Sequence, residues 1–196
     1  AYKNAADAAP TVRELQQPSA RELPSRRSVT ELVDREVEVK PSGDDMIKRW
    51  QAQTLGTRIH RALEALKYGS AMNGEDEAVR FVAELKDPPL AKWIATGETE
   101  WGFHVQAAER VIEGQIDLWA KADGKLYIVD YKSGSPAFEE QAFRQLSLYA
   151  WALRKFGHTE PAELLVIYPR LKKTSRRPFG EELFHHWENV LGASKA

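Results

Sequence analysis

Asp117, Asp130 and Lys132 are the residues of this chain whose types and spacing point most directly to chemistry. They sit in Gly114-Gln-Ile-Asp-Leu118 and Ile128-Val-Asp-Tyr-Lys-Ser-Gly134, two otherwise apolar stretches. Burying an unpaired carboxylate is costly, so an apolar strand carries one only for a reason. Here two stretches each carry one, and the second adds a lysine. Side chains alternate across a strand, so Asp130 and Lys132 share a face, and Asp117 on a neighbouring strand can join them. Two carboxylates and an ammonium at the rim of a sheet suit a hard divalent cation and an activated water.

The elements around these residues can be read from pattern. Val111, Ile112, Ile116, Leu118 and Trp119 make one strand, and Leu126 to Val129 make the next. Asp123-Gly124 between them is a hairpin signal. Before them, Glu98 to Gln106 alternates, with Trp101, Phe103 and Val105 on one face and Glu100 and His104 on the other. After them, Phe138 to Phe156 has the spacing of a long helix, on which Gln141, Gln145 and Tyr149 fall in one stripe. Ala162 to Tyr168 reads as a buried strand. Upstream, Thr54 to Lys67 is expected to be an amphipathic helix through Leu55, Ile59, Ala62, Leu63 and Leu66, with His60 beside the stripe. Gly56 in that helix suggests close approach of another group. Glu75 to Lys86 and Pro89 to Ala95 are further helices. Ser28-Val-Thr-Glu31 is a capping-box pattern that starts a short helix running to about Arg35. Val37 to Gly43 reads as a loop, and Asp44 or Asp45 as a helix cap. The basic run Arg170 to Arg177 is expected to be a loop and Glu182 to Trp187 an edge strand. The order implies an α/β fold: a central mixed sheet of about four strands flanked by helices. Residues 1–27, rich in Ala, Gln, Pro, Ser and Arg, read as a linker or N-terminal arm. Residues 28–196 read as one domain.

Composition sets bounds. The chain has 196 residues, 42% of them hydrophobic, which is enough for one core. With 28 basic and 29 acidic residues, net charge does not announce nucleic acid. Local basic runs remain, and such runs are more often solvated surface than binding sites. The absence of cysteine excludes disulfides, thiolate zinc sites, iron–sulfur clusters and cysteine nucleophiles. No run approaches the roughly 18 apolar residues of a membrane span. No phosphate-binding glycine loop for a nucleotide occurs.

Four motifs occur in order: Gly56-Thr-Arg-Ile-His60, Gly114-Gln-Ile-Asp-Leu118, Asp130-Tyr-Lys132 and Gln145-Leu-Ser-Leu-Tyr149. Together they resemble the RecB/AddA-type nuclease domains of the PD-(D/E)XK superfamily, over about Ser28 to Pro169. The resemblance implies a restriction-endonuclease-like core and metal-dependent hydrolysis of DNA. It matches Asp117 and Asp130 to the metal-binding carboxylates and His60 to the helix histidine of the metal sphere. It implies a further ligand in the backbone carbonyl of Tyr131. Lys132 matches the lysine that acts on the attacking water and on developing charge. Gln145 and Tyr149 match a motif that supports the site and touches DNA. The implied cofactor is magnesium or manganese, and the lack of cysteine places the chain in the cluster-free branch. The start Ser28-Val-Thr-Glu-Leu32 resembles AddA-type domains. That implies a single-strand exonuclease acting in break repair, either cut from a helicase–nuclease or standing alone beside a helicase partner. The implied location is cytoplasmic, at the nucleoid.

Other residues carry weaker readings. Glu100 is a candidate for the site, beside plain exposure. Glu64, one turn after His60, could orient the imidazole. Glu113 is expected at the surface, and His104, His158, His185 and His186 lie in no motif. Trp93, Trp101, Trp119 and Trp151 read as core. Arg144, Arg170, Lys172, Lys173, Arg176 and Arg177 are candidates for phosphate contacts that position DNA. The competing readings are a catalytically silent DNA-binding or assembly module on the same fold, and a structural metal site. All of His60, Asp117, Asp130 and Lys132 being present weighs against the silent module.

Overall fold

The computed structural model describes residues 24–34, 56–57, 60–62, 64–68 and 77–192. The expected arm before residue 24, the loop Val37 to Gly43, the cap at Asp44 or Asp45, and the residues Arg35, Thr54, Leu55, Ile59, Leu63, Glu75 and Asp76 lie outside them.

Among the described residues, six strands form one mixed sheet: β1 (Ser25–Ser28), β2 (Glu98–Ala107), β3 (Arg110–Ala122), β4 (Lys125–Tyr131), β5 (Ala162–Tyr168) and β6 (Lys173–Phe179). The helices of the described residues include α1 (Val29–Asp34), α2 (Glu77–Glu84), α3 (Leu90–Thr96), α4 (Glu139–Lys155) and α5 (Glu181–Gly192). Residues 56–57, 60–62 and 64–67 are helical too.

The sheet is wider than the four strands the sequence suggests, because β1 and β6 join it. β6 occupies the basic run expected to be a loop, pairing antiparallel with β5 from Lys173↔Tyr168 to Phe179↔Ala162. Its charged side chains are tolerable because it is an edge strand, where Pro178 also fits. The expected edge strand over Glu182 to Trp187 is instead part of α5. Phe184 packs against the core and Trp187 and Leu191 are buried, at i, i+3 and i+7, the spacing of a helix face. Residues 182–187 alone fit either period; Leu191 decides it. The capping box is formed: the Glu31 N–H donates to Ser28 Oγ (3.1 Å), and the Ser28 N–H donates to Glu31 Oε2 (3.4 Å).

β3 is the spine. β2 pairs along one of its edges, from Ala107↔Arg110 to Glu98↔Trp119. Its other edge is divided. β1 runs parallel to it over residues 110–113, and β4 runs antiparallel over residues 118–122. The C-terminal ends of β1 and β4 therefore point at each other across residues 114–117, which neither strand pairs. Within this gap the alternation of β3 shifts. Ile112 and Ile116 pack in the cluster beneath α4 and α5, while Leu118 and Ala120 pack in the opposite cluster with α2 and α3. The shift falls at Asp117. Opposite it, Glu100 breaks the regularity of β2 with φ +49°. Gly114 is required here by space: a Cβ would lie 2.8 Å from Phe103 Cζ and 2.9 Å from Val29 Cγ2.

Candidate active site

The gap in β3 is where the sequence-predicted residues meet. Pairing between β3 and β4 ends at Leu118↔Val129, and the Asp117 side chain then substitutes for a strand partner. Its Oδ2 accepts the Tyr131 N–H at 2.8 Å. Its Oδ1 faces His60 Nδ1 at 3.6 Å. The same Nδ1 lies 3.2 Å from Glu100 Oε1, and His60 Nε2 lies 3.3 Å from the Tyr131 carbonyl oxygen. Both ring nitrogens thus face acceptors, an arrangement that suits the doubly protonated imidazolium. One ligand atom from each of His60, Glu100 and Asp117 falls within 4.8 Å of the others.

A second chain of contacts lies beside the first. Asp130 is 3% exposed. The Lys132 ammonium donates to its Oδ1 at 3.0 Å and stands 2.9 Å from its Oδ2, which accepts no hydrogen bond. Lys132 Nζ also donates to Gln145 Oε1 (3.1 Å), and Gln145 Nε2 donates to the Tyr149 hydroxyl (2.7 Å). Residues 145 and 149 are one helical turn apart, which is why α4 can brace the lysine with two side chains. Gly56 lets the His60 helix approach this loop, since a Cβ there would sit 3.3 Å from Ser133 Oγ.

Burial and crowding set the protonation of this cluster. Burial, and after it the nearby Asp130 charge, push the Asp117 carboxyl up to about 7, against the pull of His60. Burial opposes a charge on His60, but the Glu100 hydrogen bond and the Asp117 and Glu100 charges outweigh it and raise the imidazole to about 9. The Tyr131 and Tyr149 phenols are pushed up by burial. Excess negative charge held out of water favours a cation, and the shifts of Asp117 and His60 both run toward holding a proton. The donor set is carboxylate oxygen, one imidazole and a carbonyl, with the Asp130 carboxylate buried against the Lys132 ammonium. Such a set fits magnesium through its oxygens and manganese through the added nitrogen.

Other expectations sort plainly. Glu100 lies in the cluster rather than in solvent, and it meets Nδ1 of His60, the place the sequence suggested for Glu64. Glu113 stays outside, paired with His104 at 3.4 Å on the exposed face. His185 and His186 lie on a helix, and His158 packs on Trp119. Trp93 and Trp151 are buried, while Trp101 and Trp119 pack partly buried against the core. Arg144 lies 5.9 Å from the Trp187 ring centroid. Arg170 is exposed. Most of the basic run is committed within the fold: Lys172 to Glu77 (2.6 Å), Lys173 to Glu139 (3.0 Å), Arg176 to Asp87 (2.6 Å) and Arg177 to Glu140. One residue at the site carried no reading in the sequence. Phe138, just before α4, is 58% exposed and lines the same cavity as Lys132. Its signal was its position outside the apolar stripe of α4.

The family model for the PD-(D/E)XK nuclease superfamily matches residues 16–192, and the chain belongs to that superfamily. No curated protein matches the chain. A solved structure titled "Crystal structure of SSO0001" is similar at 17% identity, covering 88% of this chain and 77% of that one, with a TM-score of 0.42.

Proposed function

We propose that this member of the PD-(D/E)XK nuclease superfamily is a metal-dependent deoxyribonuclease of the RecB/AddA type, acting on single strands as an exonuclease beside a helicase domain or subunit. The observation that carries the reading is the pairing of two chains of contacts at one gap in the sheet. One gathers His60, Glu100 and Asp117 within 4.8 Å. The other holds Lys132 between Asp130 and Gln145. The absence of cysteine keeps the chain in the branch without an iron–sulfur cluster.

His60, Asp117, Asp130 and the Tyr131 carbonyl would hold the metal, with Glu100 as an added carboxylate. When bound, a divalent cation supplies polarisation of the phosphate and a lowered pKa for water. The chain's own part is positioning and charge. Lys132 brings a fixed positive charge to the point where the phosphate gains negative charge in the transition state. Gln145 and Tyr149 keep that ammonium in place. Asp117, held by the Tyr131 N–H, keeps its other oxygen turned to the cluster. No described helix is long and apolar enough to cross a membrane.

The deciding experiment is cleavage of end-labelled linear and circular single-stranded DNA in magnesium, in manganese and in EDTA, with Asp130→Ala alongside. The expected outcome is metal-dependent cutting of the linear strand, lost in the folded variant and sparing the circle. Equal cutting by Asp130→Ala would overturn the assignment, and cutting of circles would replace exonuclease with endonuclease action.

A further inference from the structure

Phe138 is an exposed aromatic where the fold has no use for one. It is 58% exposed, belongs to neither hydrophobic cluster and makes no ring contact among the described residues. It lines a cavity of about 260 Å³ that Lys132 and Gln145 also line. That cavity shares Val33 and Gln141 with a second, of about 460 Å³, which runs on between α4, β6 and α5. In the second cavity the Arg177 guanidinium lies 4.1 Å over the Phe143 ring, anchored by Glu140. Among the described residues, the linings of the two cavities together hold Lys132, Arg144 and Arg177 and one carboxylate, Glu140.

We propose that Phe138 is a stacking platform for an unpaired base next to the cleaved phosphate, and that the two cavities form the track of a single nucleic-acid strand along α4. This rests on the nuclease reading above and names the substrate it would take. A free aromatic face can stack only on a base whose own face is free, which the interior of a duplex does not offer. Single strands are bound without sequence preference by such faces alternating with positive charge. Arg177, with its guanidinium carbon 4.1 Å from the Phe143 ring centroid, supplies a positive charge beside a second aromatic ring. Phe138 begins the track at the catalytic end because it shares a cavity with Lys132. Its exposure explains why nothing in the core would be lost without it.

The test uses the full chain carrying Asp130→Asn, with magnesium present, so that binding is read without cleavage. Anisotropy of a labelled single strand, as DNA and as RNA of the same sequence, is compared with a hairpin duplex. Adding Phe138→Ala is expected to weaken single-strand binding about ten-fold. Phe138→Trp should restore it, and duplex binding should hold within about two-fold. A fluorescent base analogue at the terminal position should be quenched on binding the parent and not the alanine variant. Loss confined to DNA or to RNA supports the track and assigns its source. Unchanged single-strand binding in Phe138→Ala, or an equal loss on the duplex, overturns it. Cleavage by the otherwise unaltered chain is scored separately. A chain that cuts while Phe138→Ala binds normally overturns the track alone. A chain that never cuts, yet loses strand binding with Phe138→Ala, overturns the nuclease reading and keeps the track.

Discussion

Lys132 is braced on two sides, and its neighbours differ in what their removal does. Gln145 accepts from the ammonium and donates to Tyr149, so Gln145→Ala leaves the charge present but unplaced. Misplacing a reacting group by about an ångström lowers turnover by as much as about a hundred-fold. The expected outcome is therefore a fall in kcat of about ten- to a hundred-fold with the thermal midpoint nearly unchanged, read by steady-state cleavage and melting. A variant with full kcat would remove Gln145 from the positioning of the lysine. The acid cluster makes a second statement at this scale. Asp117 is raised from 3.8 to about 7 and His60 from 6.5 to about 9. Each group binds its proton more tightly folded than unfolded. The stability this gives is complete below the unfolded value and is lost as pH rises through the folded one. In EDTA the melting temperature should therefore fall between about pH 4 and about pH 9. Added magnesium or manganese should raise it more at the alkaline end, where the ligands release protons. A melting temperature that rises with pH in EDTA would contradict the crowded cluster.

At the level of elements, three stretches meet at one glycine. Gly114 of β3 lies under Phe103 of β2 and Val29 of α1, and a methyl group there would enter 2.8 Å from one and 2.9 Å from the other. Overpacking of this kind costs about 1–3 kcal/mol. Gly114→Ala should lower stability by about that amount in denaturant titration, and cleavage should fall with it because Asp117 lies three residues on. A neutral Gly114→Ala would mean α1 shifts freely. The elements were not equally legible in the sequence. The β3–β4 hairpin declared itself through Asp123-Gly124 and two apolar runs, and Asp117, Asp130 and Lys132 stood out as charges inside them. Glu100 did not, because strict alternation turns it to solvent. Its left-handed φ and the shift of β3 at Asp117 leave no mark in residue type. β6 was hidden for another reason. Strand signals rest on apolar content, and this edge strand balances its cations with carboxylates from α4, β5 and a loop.

Across the whole molecule, the two faces of the sheet divide the labour. One cluster packs α4 and α5, and so fixes Gln145 and Tyr149. The other packs α2 and α3 with Ala62 and Leu66 beside His60. The site therefore draws its parts from both faces and joins them through the gap in β3. Residue spacing within a strand could place Asp130 with Lys132, but only the crossing of the two layers places His60 against Tyr131.

That gap also has a consequence for the timing of solvent access. β3 has 13 residues and is the longest of the described strands, with partners on both sides at residues 110–113 and again at 118–119. Ordinarily the middle of such a strand is the slowest part of a protein to exchange its amide hydrogens. Here four consecutive residues, a window of about 13 Å, have no strand beside them on one side among the described residues. Amides in residues 114–117 that point away from β2 should exchange with deuterium faster than those of residues 118–120, reversing the usual gradient from end to centre. Protection appearing there on addition of manganese, and nowhere else in the strand, would mark the window as the place where the ion settles.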